Sequence, residues 1–201
     1  MTTRVVAVSG SLRDGSYTRT GLRYALAGAA GAGADVELLD LRDYDLPPLD
    51  PDREKQGDAA AFAAAVREAD SVLVGTPMYH GSCSGVVKNA LDHCGFDEFE
   101  ETTVGLLAVS GGAFPVTALE HLRSVCRALN AWVLPHQAAL PRVRSAFEAA
   151  SVETAAGTVE RAFVDDDLEA RVRTLGRRAV EYADIQPDPA TFESGQNRGA
   201  D

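Results

Sequence analysis

The chain has 201 residues, enough for one domain of ordinary size with a real core, and nothing in it argues for two. A net charge of −11 leaves no basic stripe to displace counterions from phosphates, which excludes nucleic acid as an expected partner. Only Lys55 and Lys88 among the nineteen basic residues are lysine; with aspartate outnumbering glutamate and alanine abundant, this bias predicts a halophilic surface, hydrated and screened in high salt.

Val5, Val6, Ala7 and Val8 have the β-branched, charge-free character of a strand buried on both faces. After Gly10 the chain enters a hydroxyl-rich loop, and Leu22, Ala25, Leu26 and Ala29 then recur at helical spacing, predicting a helix from Ser16 or Thr18. Asp35 to Leu41 reads as a second strand. Pro47, Pro48 and Pro51 make Arg42 to Gly57 a long connection. Asp58 is the predicted cap of an alanine-rich helix through Ala69, and Ser71 to Gly75 is a third buried strand. A helix over Ser84 to His93, a fourth strand over Val104 to Val109 and a helix over Thr117 to Ala131 follow. Trp132 to Leu140 reads as a fifth strand broken by Pro135, and Asp165, Asp166 and Asp167 open a last helix. After Ile185 the composition turns polar, so residues 1–185 are expected to form the domain and 186–201 a disordered tail. Five strands alternating with helices predict an α/β fold: a doubly wound, flavodoxin-like five-stranded parallel sheet of order 2-1-3-4-5 with helices on both faces.

In that topology the loops after strands one, three and four meet at the carboxyl ends of the strands. The first ends on a helix N-terminus, where unpaired N–H groups and the dipole favour an anion. Ser11, Ser16 and Thr18 add hydroxyls and Arg13 a guanidinium. Gly10 and Gly15 have Walker spacing, but Ser16 and Tyr17 stand where Lys and Ser/Thr belong, and the dinucleotide pattern G-x-G-x-x-G is absent. A terminal phosphomonoester suits the loop; the alternative is a serine-rich turn that merely caps a helix. The second loop, Thr76-Pro77-Met78-Tyr79-His80-Gly81-Ser82, fixes its backbone with Pro and Gly around an aromatic. The third, Ser110-Gly111-Gly112, lets backbone approach a flat ligand. A phosphate at one loop and a planar ring between two others describe flavin mononucleotide, FMN.

Gly10-Ser11-Leu12-Arg13 with Gly15-Ser16, Thr76-Pro77-Met78-Tyr79, and Gly85-Val86-Val87-Lys88-Asn89-Ala90-Leu91-Asp92 together resemble the NAD(P)H-dependent FMN reductase family, which includes quinone, azo and chromate reductases. Leu46-Pro47-Pro48-Leu49-Asp50 is similar to that family as well, and the resemblance runs over residues 4–183. It implies phosphate binding by Ser11, Arg13, Ser16 and Thr18, isoalloxazine contact by Pro77, Met78, Tyr79 and His80, and a second ring-side loop at Ser110, Gly111 and Gly112. It implies hydride transfer from NADPH or NADH to flavin N5 and on to a flavin, quinone or similar small-molecule electron acceptor, in ping-pong fashion, by a homodimer or homotetramer. No side chain is assigned as catalytic; Tyr79 and His80 are candidates to adjust the acceptor site, His80 alternatively being a solvated loop histidine. The chain departs from the family's Pro-Glu-Tyr-Asn at Met78 and His80, and has Ser84 where the family commonly has Pro.

Other readings compete. An FMN-binding electron shuttle would share the fold but lack reduction by NAD(P)H. Gly81-Ser82-Cys83-Ser84-Gly85 matches a cysteine nucleophile elbow, with His121 or His136 as base, but Thr76 to His80 separate it from its strand. His80, Cys83, His93 and Cys94 have metal-ligand chemistry, yet Cys83 and Cys94 fall at opposite ends of a helix, about 15 Å of rise apart, so no metal is expected. Three cysteines without a C-x-x-C pair fit a reducing compartment. No apolar run reaches membrane-spanning length and no signal-peptide core precedes the first strand, which predicts a cytoplasmic protein with no membrane partner.

Overall fold

The computed structural model describes residues 2–185. In chain order the elements are β1 (Arg4–Ser9), α1 (Tyr17–Ala30), β2 (Asp35–Asp40), α2 (Ala59–Arg67), β3 (Ser71–Pro77), α3 (Gly85–Asp92), α4 (Phe96–Phe99), β4 (Thr103–Val109), α5 (Val116–Ala128), β5 (Trp132–Val133), β6 (Ala138–Leu140), α6 (Val143–Ala146), β7 (Phe147–Thr154), β8 (Gly157–Phe163) and α7 (Asp166–Glu181). The sheet is parallel, ordered β2-β1-β3-β4-β5, with β6 also pairing β4. It is the flavodoxin-like arrangement expected from the alternation of strands and helices.

The central strands β3 and β4 are buried at every residue, as a sheet covered on both faces requires. On one face Leu22, Leu26, Leu73, Leu107, Val172 and Leu175 join α1 and α7 to the sheet. On the other, Phe62, Val66, Val87, Leu91, Leu119 and Leu122 join α2, α3 and α5. Helices α1 and α7 approach so closely that a Cβ on Gly176 would lie 1.7 Å from the Ala25 carbonyl oxygen. Only a residue without a side chain fits there.

Several boundaries differ from the sequence expectation. Asp58 does not cap α2: its carboxylate instead accepts a hydrogen bond from the Asp45 N–H at 2.8 Å, tying down the proline-rich connection. β3 continues through Thr76 and Pro77, because β4 extends alongside it as far as Val109. The fifth strand is two short pieces, and Pro135, which has no N–H to donate to the ladder, lies in the gap between them. Residues 141–164, to which no element was assigned, hold α6 and an antiparallel hairpin, β7-β8, outside the main sheet. The predicted tail, 186–201, lies outside the described residues. Among the described residues no helix is long and apolar enough to cross a membrane.

Candidate functional site

The loops that follow β1, β3 and β4 converge on one cleft of about 170 Å³. Of the residues singled out by sequence, Ser11, Arg13, Thr18, Pro77, Met78, Tyr79, Ser110 and Gly111 line it; Ser16, His80 and Gly112 do not.

At the β1 loop, Gly10 is held by its N–H to the Gly75 carbonyl at 2.9 Å, and Ser84 Oγ donates to the Gly10 carbonyl at 2.7 Å. A Cβ on Gly10 would sit 2.7 Å from the Val87 Cβ, so the close approach needs glycine. The Ser16 hydroxyl is the N-cap of α1, accepting from the Arg19 N–H at 3.1 Å. Ahead of it, the N–H groups of Tyr17 and Thr18 have no intrahelical carbonyl to meet. Thr18 is 1% exposed, and its Oγ1 has no hydrogen-bond partner among the described residues. A buried hydroxyl without a partner is costly, and this one borders the cleft.

Behind the loop stands a charged brace. Asp40, at the end of β2, accepts from Arg19 at 3.0 Å and from Arg42 at 2.7 Å, and Arg42 also pairs with Asp14 at 3.0 Å. Arg19 donates in addition to the Asp14 carbonyl. Burial by itself would raise the Asp40 pKa, but the hydrogen bonds and charges of Arg42 and Arg19 outweigh it and hold the carboxyl below its ordinary value.

The β3 loop is a two-residue turn. His80 (φ 51°) and Gly81 (φ 81°) take left-handed conformations, and Tyr79 and Ser82 exchange backbone hydrogen bonds of 3.0 Å across it, the pattern of a type I′ hairpin. His80 therefore stands at the tip, while Pro77 and Met78 border the cleft and Tyr79 is left 51% exposed. Ser84, beyond the turn, donates its N–H to Thr76 Oγ1 at 2.9 Å and caps α3.

At the β4 loop, Ser110 Oγ donates to the Gly112 carbonyl at 2.7 Å, and that carbonyl also accepts from the Arg142 N–H at 2.8 Å. Gly112 is thus occupied in shaping the turn. A Cβ on Gly111 or Gly112 would meet no atom of the described chain within 4 Å, so the space above the loop is open to a ligand.

Four lining residues were not foreseen: Tyr17, Val109, Val143 and Arg144. Val143 and Arg144 belong to α6, a four-residue turn with no periodicity to detect. The competing motifs are placed elsewhere. Cys83 Sγ has as its hydrogen-bond partner Ser82 Oγ, at 3.9 Å, while His121 Nδ1 meets Ser82 Oγ and His136 Nε2 meets the Arg171 carbonyl. Burial pushes the Cys94 and Cys126 thiols up to about 12, so neither is a nucleophile near neutrality. Among the described residues no group of three or more His, Cys, Asp or Glu is arranged to hold a metal ion. What the cleft brings together is a helix N-terminus with a buried, unpartnered hydroxyl and the backbone of two further loops.

The family model described as NADPH-dependent FMN reductase matches residues 3–144. The FMN-dependent NADPH-azoreductase of Staphylococcus saprophyticus is 35% identical over 138 residues, spanning 66% of this chain and 73% of that protein. Its counterpart in Staphylococcus haemolyticus is 36% identical over the same length, with the same shares of both chains. Among solved structures, the NAD(P)H:acceptor flavoenzyme of Paracoccus denitrificans superposes with a TM-score of 0.69 at 19% identity, covering 91% of this chain and 97% of that one. An NADH:FMN oxidoreductase in its apo form gives 0.68 at 23%, with 92% of each chain covered. At those identities the likeness shows the fold.

Proposed function

The chain belongs to the NADPH-dependent FMN reductase family, and on that premise we propose that it is an FMN-dependent oxidoreductase whose cofactor lies in the cleft of the β1, β3 and β4 loops. The observation that carries this reading is the Thr18 hydroxyl, buried without a partner beside Ser11 and Arg13 at the start of α1, where a phosphate would satisfy it. When bound, FMN supplies a two-electron centre between a nicotinamide donor and a small-molecule acceptor.

The residues divide the task. Ser11, Thr18, the first N–H groups of α1 and the Arg13 guanidinium bind the phosphate; Ser16 keeps those N–H groups aimed by capping the helix. Pro77, Met78 and the Ser110–Gly112 backbone hold the ring edge, the glycines keeping the approach open. Tyr79, half out in solvent, lines the cleft and His80 is exposed at the turn tip beside it, outside the lining; from these positions both adjust the acceptor. One cleft then serves donor and acceptor in turn, which gives ping-pong kinetics. Azo dyes, quinones and free flavins are the acceptor classes proposed, the first from the names of the staphylococcal relatives. The three free cysteines support a cytoplasmic setting, the proline-rich stretch 42–57 is the proposed contact of a homodimer or homotetramer, and the acidic, lysine-poor composition supports halophilic behaviour.

The test is an anaerobic titration of FMN-reconstituted protein with NADPH and, in parallel, NADH, watching the visible flavin band. Bleaching, with recovery on adding a quinone, is the expected result and ranks the donors. Binding of FMN without bleaching by either nucleotide would replace the reductase with an electron shuttle. Failure to bind FMN would overturn the cleft assignment.

A further inference from the structure

The β7-β8 hairpin begins just beyond the segment matched by the family model, and it carries a cation to the β1 loop. The guanidinium of Arg161 lies over the Tyr17 ring, 4.7 Å from its centroid, and a Cβ on Gly15 would be 3.0 Å from Arg161 Nη2. Arg161, which stands opposite Ala149 in the hairpin register, is thus pressed against the loop that precedes α1. Its guanidinium donates no hydrogen bond and joins no ion pair among the described residues, although it lines a recess of about 390 Å³ with other charged groups. Those groups are committed: Asp14 is paired with Arg42, Arg19 with Asp40, and Arg23 donates to the Thr158 carbonyl at 2.7 Å. Glu160, which also lines the recess, is exposed and joins no ion pair among the described residues.

The hairpin is firmly placed. Tyr17 stacks on Phe147 at 5.7 Å, Tyr24 meets Phe163 edge-on at 4.9 Å, and Tyr24 Oη donates to the Arg161 carbonyl at 3.0 Å. These contacts fix the backbone of Arg161 and leave its guanidinium as the uncommitted end, at the same helix terminus that holds the orphaned Thr18 hydroxyl. We propose that Arg161 is a second guanidinium of the phosphate seat, reaching the FMN phosphate from the Gly15 side while Arg13 reaches it from the cleft. The inference rests on the FMN reading of the cleft. It gives a phosphate dianion two guanidinium partners in place of one.

The experiment compares the affinities of the purified protein for FMN and for riboflavin, which lacks the phosphate, in wild type, Arg161→Met and Arg161→Lys. Met keeps an unbranched stem on the Tyr17 ring and the carbonyl that Tyr24 bonds, so the fold is retained and checked by its melting temperature. Expected is a weakening of FMN binding by about tenfold to a hundredfold in Arg161→Met, the size of a lost charge-assisted hydrogen bond, with riboflavin within about twofold and partial recovery in Arg161→Lys. Equal losses for FMN and riboflavin, or no loss for either, would make Arg161 a brace for Tyr17 and overturn the proposal. So would a loss confined to discrimination of NADPH over NADH, which would assign the guanidinium to the dinucleotide. A wild-type protein that fails to prefer FMN over riboflavin would instead overturn the phosphate seat itself.

Discussion

Thr18 and Asp40 show how single residues at the β1 loop carry opposite demands. Thr18 buries a hydroxyl that the folded chain leaves unpaired, so Thr18→Val, nearly isosteric, should hold or raise stability, by up to about 1 kcal/mol, while weakening FMN binding by about two- to tenfold. Denaturation and flavin titration of the same variant check both signs; a loss of stability without a change in affinity would make the hydroxyl structural. Asp40 is the reverse case, a buried carboxylate whose partners are all present. Its folded pKa is depressed below the unfolded value, so its stabilisation is complete above that unfolded value, near 4, and is lost as pH falls through the folded one. Asp40→Asn should therefore lower stability at pH 7 by about 1–3 kcal/mol and flatten the acid limb of a stability–pH profile below about pH 4. A parallel shift of the whole profile, with the limb intact, would show that the carboxylate does not titrate as a paired group.

Among the elements, the joint between β1, β3 and α3 is made by Gly10 and Ser84. Gly10→Ala would press a Cβ against Val87 and the Gly75 carbonyl, costing about 1–3 kcal/mol and tilting the loop above it. Ser84→Ala removes both the bond to the Gly10 carbonyl and the cap of α3, for about 1–2 kcal/mol by urea unfolding. If Ser84→Ala is neutral, the clamp on the loop is not a stabilising one. These elements were legible because their signals are local: charge-free runs for β1, β3 and β4, and 3.6-residue periodicity for α1, α5 and α7. The hairpin was not, because only one of its faces packs. Its strands carry Glu148, Glu153 and Glu160 on the exposed side, and alanines blur the alternation. A signal did exist, in the apolar residues that flank the turn on both sides, where Phe147 pairs Phe163 and Val152 pairs Val159, but a register shift between Ala149 and Val152 breaks its symmetry. Missing the hairpin meant missing Arg161. The cleft was legible for a different reason: a parallel sheet of this order brings the loops of β1, β3 and β4 together whatever their conformations. The conformations themselves, such as that of the left-handed His80, which does not line the cleft, depend on cross-strand pairing that residue types alone do not specify.

For the molecule as a whole, the net charge of −11 sets how stability responds to salt. Two effects oppose each other. Exposed pairs such as Lys88–Asp92 and Arg178–Glu181 are worth at most about 1 kcal/mol each and weaken as salt rises. The surplus of carboxylates repels itself over the entire surface, and that repulsion is also screened, as the Debye length falls from about 10 Å at 0.1 M to about 3 Å at 1 M. The Asp40 pairs, whose carboxylate is buried and whose arginines are only partly exposed, are screened less and change less. Because the surplus acts on the whole folded chain while each exposed pair is weak, relief of repulsion should win. The urea midpoint is therefore expected to rise between 0.1 and 1 M KCl; urea rather than guanidinium chloride is the right denaturant, since the latter is itself a salt. A midpoint that stays level or falls would mean that local pairing outweighs net charge on this surface, and the acidic, lysine-poor composition would then carry no adaptation to high salt.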